Sequence, residues 1–280
     1  MRVIILGSNG MLGSMLQFVG SRTSHEIIAL TRNEFHATQN SIQHLDNWLT
    51  NDCCIVNCIG AIPQRKCIDE EFHVLNTAFP LSLANYCESK SVPMIHISTN
   101  CVFDDKGSNY IETDTRFTHE IYGLSKQKGE PPNALTLRCS IIGLEKNTSF
   151  GLMEWFLHAG PTVNGYQDHY WNGITTFELS NIIFEYINNK NFSPSLIHYA
   201  SEHTVSKCEL LEYINTLFHL EKKINPIYAG TTYYTLSSII TTPRKHIFKQ
   251  LDELYDRVKE YRTFHSLDPI NKLKYNTSYG

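Results

Sequence analysis

The sequence predicts an α/β protein built on a doubly wound parallel sheet, with a smaller and less regular C-terminal region. Three observations carry this reading. Short continuous apolar runs alternate with helical patterns as far as Gly143, as expected of parallel strands covered on both faces. The first run, Val3-Ile4-Ile5-Leu6, leads directly into Gly7-Ser8-Asn9-Gly10-Met11-Leu12-Gly13 and then into a helical stretch holding Met15, Leu16, Phe18 and Val19. Beyond Gly143 the alternation gives way to an irregular pattern. The expected boundary puts the sheet domain in residues 1–160, completed by parts of 172–205, and the smaller region in 161–280.

Each element follows from its own residues. Glycines at G-x-x-G-x-x-G spacing between a strand and a helix allow a tight turn and close approach of backbone to a diphosphate, and the helix start offers free N–H groups. Gly7, Asn9, Gly10, Met11, Leu12 and Gly13 are therefore the expected dinucleotide loop. The second strand, Glu26-Ile27-Ile28-Ala29-Leu30, runs into Thr31-Arg32. An acidic residue there would suit ribose hydroxyls, whereas the Arg32 guanidinium suits a 2′-phosphate, which points to NADPH with NADH as the alternative.

Residues 36–50 read as a polar connection into a helix that includes Leu45, Trp48 and Leu49. The run Cys53-Cys54-Ile55-Val56-Asn57-Cys58-Ile59-Gly60 is the third strand, and its end, Asn57 to Gly60, is expected over the cofactor because ligands bind outside the carboxyl ends of such strands. A helix follows through Phe72, Leu75, Asn76, Leu81, Leu83 and Ala84, with Pro80 marking a kink or a helix start. Pro93 to Thr99 is the next strand, 104–120 a polar loop over the site, and Asn133 to Gly143 a further strand and turn.

Tyr122 and Lys126 stand at i and i+4, one turn apart on one helical face. A free phenol ionises near pH ~10, and a neighbouring ammonium favours the phenolate, so the pair is a candidate proton donor to a carbonyl. The Thr99 hydroxyl, at a strand end, is placed to hold that carbonyl. Further on, Gly151 to Leu157 reads as a short helix with Trp155 on it, and Asn164-Gly165-Tyr166 as a turn. The stretch His169 to Thr176 is rich in groups that stack on or hydrogen-bond to a sugar or base, among them Trp171 and Asn172. Residues 177–186 are helical in period, 196–200 strand-like, 207–219 and 245–261 helical, and a polar tail closes the chain.

The totals exclude some classes. With 280 residues the chain can bury a full core, and a net charge of −4 without a basic block disfavours nucleic acid and anionic membranes as partners. The first apolar run is too short for a signal-peptide core and no later run approaches a membrane span, so a cytoplasmic protein is expected. The eight cysteines fall mostly in apolar runs and read as free thiols of a reducing compartment; the thirteen histidines are scattered, and no metal is expected.

On Gly7 to Gly13, Ser98-Thr99-Asn100-Cys101-Val102-Phe103, Tyr122 to Lys126 and Leu137-Arg138-Cys139-Ser140, the chain resembles the extended short-chain dehydrogenases/reductases, and among them the dTDP-4-dehydrorhamnose reductase family. The resemblance implies a Rossmann-type fold and NADPH-dependent reduction of the C4 ketone of a nucleotide-linked 4-keto-6-deoxyhexose to an activated L-rhamnose-type sugar. It implies Tyr122 as proton donor, Lys126 as the residue that lowers its pKa and binds the nicotinamide ribose, and Thr99 as a hydrogen-bond donor to the ketone oxygen. Asn57, Cys58, Ile59 and Gly60 join the cofactor site; Asn100, Cys101, Trp155, Trp171 and Asn172 form the substrate side. No nucleic acid or membrane is implied, and self-association would be as a homodimer.

Two departures stand out. Asn100-Cys101 replaces the Asp-Tyr usual in the family, and a Cys there resembles the epimerase/reductases such as GDP-fucose synthase, in which the thiol exchanges a proton beside the ketone. The second acid that inversion needs is not found after Gly143, where the chain has Asn147-Thr148-Ser149-Phe150 with Lys146 and His158 nearby. The Asn100-Cys101 pair and the segment from Trp171 to Thr176 look most like reductases of UDP-linked sugars, including 2-acetamido-2,6-dideoxy types. The alternatives are a bifunctional 3(,5)-epimerase/4-reductase using Cys101 and a non-catalytic NADP-binding regulatory subunit.

Overall fold

The computed structural model describes residues 1–268. Five of its strands come from the apolar runs above: β1 (Arg2–Leu6), β2 (Glu26–Leu30), β3 (Cys53–Asn57), β4 (Met94–Thr99) and β5 (Leu135–Cys139). With β10 (Ser195–Tyr199) they form one parallel sheet in the order β10-β5-β4-β3-β1-β2. The order reverses between β1 and β3, and successive residues of β1 face opposite layers. Val3 and Ile5 pack with Leu12, Leu16, Leu179 and Ile183; Ile4 and Leu6 pack with Phe79 and Leu83. Burial on both faces is why β1 and β3 read as unbroken apolar runs rather than alternating ones.

The helices of the two layers are α1 (Met11–Gly20), α2 (Asp69–Phe72), α3 (Phe79–Ser89), α4 (Ile121–Lys128), α5 (Leu152–His158) and α6 (Thr176–Asn188). Between α2 and α3 the helix is not broken at Pro80. It continues through a π-helical segment, His73–Ala78, and Pro80, which has no N–H to donate, falls in the first turn of α3. The widened turn turns Asn76 inward, where its side chain exchanges hydrogen bonds with Ala61 N (2.8 Å), Ala61 O (3.1 Å) and the Ser125 hydroxyl (3.1 Å). One buried amide thus ties the loop after β3 to α4.

Two expectations of local structure are corrected. The helix expected near residue 45 is a short 3₁₀ segment, Ile42–Asn47, because only Leu45 of that stretch finds a fully buried position. The turn expected at Asn164–Tyr166 is strand: β7 (Thr162–Tyr166) pairs in parallel with β12 (Lys223–Ile227), a partner distant in sequence. Two minor strands, β6 (Ile141–Ile142) and β9 (Ile174–Thr175), also pair in parallel, and β8 (His169–Trp171) lies between β11 (Val205–Ser206) and β13 (Thr232–Tyr234). α7 (Lys207–Leu217) follows β11 at once, and α8 (Ile247–Phe264) returns to α1, where the Tyr261 and Ser14 hydroxyls lie 2.7 Å apart. From residue 269 the polar tail lies outside the described residues.

All eight cysteines are free, five of them buried, and no helix among the described residues is long and apolar enough to cross a membrane.

Candidate active site

A cleft of about 560 Å³ opens at the carboxyl ends of β1, β3, β4 and β5 and is closed on its other side by residues of β8, α7 and β13. On one wall is the glycine loop. Gly7 has φ +73°, and a Cβ on Gly13 would stand 2.4 Å from the Gly7 carbonyl oxygen, so the turn closes onto the first turn of α1 at a distance only glycine permits. The N–H groups of Met11, Leu12 and Gly13 have no acceptor within their helix, and these residues line the cleft together with Gly10. This cradle, whose close seating of α1 on the turn a side chain on Gly13 would disrupt, fits the diphosphate of a dinucleotide.

The remaining cofactor-side candidates are distributed unevenly. Cys58, Ile59 and Gly60 line the cleft. Asn57 does not; it is fully buried, with its amide 3.2 Å from His96 Nδ1 and its carbonyl oxygen accepting from Ile59 N, so it shapes the loop from below. Asn9 is exposed, its carbonyl oxygen 3.5 Å from Lys146 Nζ. Arg32 is exposed just past β2, on a turn closed by Glu34, whose carboxylate accepts from Thr31 N (2.9 Å) and Thr31 Oγ1 (2.5 Å) and is held below its usual range by these bonds. The strand end therefore carries a carboxylate as well as the guanidinium.

At the centre, Thr99 ends β4 and its hydroxyl accepts from Cys101 N (3.1 Å), folding the chain into a single 3₁₀ turn. α4 sits directly on that turn at Gly123: a Cβ there would be 1.9 Å from the Cys101 carbonyl oxygen. This contact brings Tyr122 beside Thr99. The phenol packs edge-on to Phe72 (centroids 6.2 Å apart), and the Thr99 hydroxyl is near enough to favour its ionised form. Lys126 is buried one turn on and donates to the Ile97 carbonyl at 2.7 Å; Ser125, its neighbour, is held by Asn76 and through its carbonyl by the Thr77 hydroxyl. Glu130, the next acidic group, is bound by Arg138 (2.6 and 2.7 Å) and the Ser98 hydroxyl (2.5 Å).

The electrostatics differ from the sequence expectation. Burial pushes the Tyr122 phenol up, and the Thr99 hydroxyl offsets only part of this. The Lys126 ammonium is directed to the Ile97 carbonyl, and burial lowers its own pKa to about 8 against the opposing charge of Glu130. Desolvation thus sets the direction of the shift for both groups in the free protein. The Cys101 thiol is likewise raised by burial, with the Thr99 hydrogen bond and the Lys207 charge acting the other way.

On the substrate side, Asn100 and Cys101 line the cleft, and the Asn100 amide donates to the Tyr234 carbonyl (3.2 Å), linking β4 to β13. Trp171 lines it too, its indole N–H donating to Ser140 Oγ at 2.6 Å. Trp155 and Asn172 are outside the lining. Trp155 is 39% exposed on α5, and Asn172 is buried in a two-way pairing with the Leu236 backbone (2.8 and 3.0 Å). Sequence reading missed Lys207, Tyr234, Arg65 and Glu145, all of which line the cleft. For Lys207 a signal existed: Ser206 and Glu209 form a capping box, which marks the helix start and puts Lys207 at its first position.

The family described as RmlD substrate-binding domain matches residues 1–234. The chain belongs to this family. Among curated members similar to it, the dTDP-4-dehydrorhamnose reductase of Mycolicibacterium smegmatis is 30% identical over 133 residues, 46% of this chain and 40% of that protein. A probable low-salt glycan biosynthesis reductase of Haloferax volcanii is 29% identical over 195 residues, 60% of this chain and 64% of its own. The chain thus spans about half the length of the curated relatives it matches. Of solved structures in the same group, dTDP-4-dehydrorhamnose reductase of Clostridium acetobutylicum superposes with a TM-score of 0.78 at 20% identity, covering 92% of this chain and all of the other. That of Bacillus anthracis, in complex with NADP, gives 0.78 at 16%, covering 92% and 99%. These two likenesses are of fold.

Proposed function

We propose that the chain is an NADPH-dependent reductase of the C4 ketone of a nucleotide-linked 4-keto-6-deoxyhexose, releasing an activated L-rhamnose-type sugar. The observation that carries the reading is the meeting of Thr99, Tyr122 and Lys126 in the cleft that also holds the glycine loop. Relatives of similar sequence are named for this reduction, acting on dTDP-linked ketones.

Bound NADPH supplies the hydride. Its diphosphate would lie on Gly10 to Gly13, its ribose and nicotinamide against Cys58 to Gly60, Tyr122 and Lys126, and its 2′-phosphate near Arg32. Thr99 and Tyr122 hold the ketone oxygen from one side. As hydride reaches carbon, Tyr122 gives its proton to the oxygen. The raised phenol pKa keeps Tyr122 protonated at neutral pH, and the developing alkoxide is more basic still, so the transfer runs downhill. Lys126 stabilises the phenolate until solvent returns the proton.

The half-buried thiol of Cys101, raised by desolvation, stays protonated at neutral pH, a poor base toward carbon, which favours plain reduction over epimerisation. The finer assignment is a UDP-linked substrate, including 2-acetamido-2,6-dideoxy sugars, on the likeness of Asn100-Cys101 and the Trp171 to Thr176 segment to reductases of that group. The test follows loss of NADPH absorbance with UDP- and dTDP-4-keto-6-deoxyglucose and the UDP-linked 2-acetamido ketone, each with and without a separate 3,5-epimerase. Turnover on an epimerised ketone alone supports the reductase; turnover without the epimerase, with inverted product, replaces it with the bifunctional enzyme. Inactivity on every ketone replaces it with the regulatory subunit.

A further inference from the structure

Lys207 is a cleft-lining cation drawn partly out of solvent with no acceptor for its charge among the described residues. The charged side chains of the lining are Arg65, Lys126, Glu145 and Lys207. Lys126 donates to Ile97, and Glu145 accepts from Gly151 N at the glycine-loop end. Arg65 is exposed to solvent. Lys207 is half-buried; its ammonium faces the rings of Tyr234 (5.6 Å to the centroid) and Tyr166 (6.0 Å), and no ion pair or hydrogen-bond acceptor holds it among the described residues. The acidic residue of its own first turn, Glu209, is used instead to accept from Ser206 N at 2.7 Å.

The placement is unfavourable without a ligand. Desolvation disfavours the charged ammonium, and the first turn of α7 adds the positive end of its dipole. An anion would answer both. Its place relative to the reaction centre also fits: Tyr122, Cys101 and Lys207 line the same cleft, and Cys101 is in electrostatic reach of both the others. A hexose whose C4 oxygen meets Tyr122 would cross Cys101 and present its anomeric substituent to Lys207.

We propose that Lys207 receives the diphosphate of the nucleotide-linked substrate and so selects a nucleoside-diphosphate sugar over a free one. The assignment rests on the reductase reading above. It makes Lys207 a substrate-binding residue rather than an acid or base, so its removal should fall on affinity.

The experiment compares wild type, Lys207→Met, Lys207→Arg and Arg65→Gln, each saturated with NADP⁺, for calorimetric binding of UDP and dTDP, and measures kcat and KM on the nucleotide-linked ketone. Thermal melting serves as the folding control. In Lys207→Met, Kd for the nucleoside diphosphates and KM for the ketone should rise by about tenfold or more, since a charge-assisted contact is lost. KM for NADPH should hold, Lys207→Arg should recover most of the affinity, and added salt should weaken binding less than in wild type. Unchanged nucleoside-diphosphate binding in a folded Lys207→Met protein overturns the assignment, as does a loss confined to kcat, or a loss found only in Arg65→Gln. If wild type reduces the ketone while these outcomes occur, only the Lys207 role falls. If wild type neither binds UDP or dTDP nor reduces any nucleotide-linked ketone, the reductase reading falls with it.

Discussion

Lys126 Nζ lies 2.7 Å from the carbonyl oxygen of Ile97, on the strand that ends in Thr99. The ammonium is therefore anchored to the sheet, and burial holds its pKa at about 8, below the ordinary 10.5. The sign of the linkage follows. Between pH 8 and 10.5 the unfolded chain binds more protons at this residue than the folded one, so this contribution to stability rises with pH across the window and is lost as pH falls through 8. Denaturant unfolding of wild type and Lys126→Met across that range isolates the effect, because the raised phenols and thiols are common to both. Wild type should gain stability relative to the variant above pH 8; a constant difference would mean that Lys126 is not depressed.

Tyr122→Phe should retain the fold and lose about 10²- to 10⁴-fold in kcat, the usual worth of a general acid. Its hydroxyl is desolvated and faces the Thr99 hydroxyl, so its deletion should move the melting temperature by only a few degrees. Reduction within tenfold of wild type would remove the proton-donor role.

Arg32 is exposed beside a turn that Glu34 closes. Arg32→Ala should lower kcat/KM for NADPH while leaving that for NADH nearly unchanged, and Glu34→Gln should improve NADPH by removing a carboxylate near the 2′-phosphate. Steady-state kinetics with both cofactors decide it. An undiminished NADPH preference in Arg32→Ala would place the 2′-phosphate elsewhere.

Cys101→Ala should keep turnover, and product formed in deuterated water should carry no deuterium on the carbons beside C4. Both outcomes follow from a thiol that burial keeps protonated. Loss of turnover together with solvent deuterium at C3 or C5 in the wild-type product would establish the epimerase chemistry instead.

The sheet was legible because three of its strands carry their own signal: four consecutive apolar residues at β1, β2 and β3. The glycine turn and the Tyr122/Lys126 spacing were legible for a similar reason, since each is a local constraint on a few neighbouring residues. What local pattern could not supply was pairing over distance. β7 reads as a turn until β12 is placed beside it, and Asn172 reads as a ligand-binding amide until Leu236 satisfies both of its groups. The π segment at His73–Ala78 was invisible because its cause is split between Pro80 and the tertiary partners of Asn76. Lys207 went unread because the residues that make it unusual, Cys101, Tyr166 and Tyr234, are far from it in sequence.

Gly123 makes the sharpest structural prediction because it acts through backbone. A Cβ there would meet the Cys101 carbonyl carbon at 2.9 Å as well as its oxygen, and the Thr118 methyl at 2.4 Å. None of these is the free end of a flexible side chain, so Gly123→Ala must lift α4 off the turn after β4. Overpacking of this kind costs about 1–3 kcal/mol. The helix carries Tyr122 and Lys126 on its inner side, so the same displacement separates the phenol from Thr99 and the ammonium from Ile97. The expected result is a lowered melting temperature and a kcat reduced by about 10²-fold, the usual cost of displacing a reacting group by an ångström. Affinity for UDP and dTDP, governed from α7, should change little. Unaltered kcat in a destabilised but folded Gly123→Ala protein would show that the contact between α4 and the Cys101 turn supports the fold without positioning Tyr122.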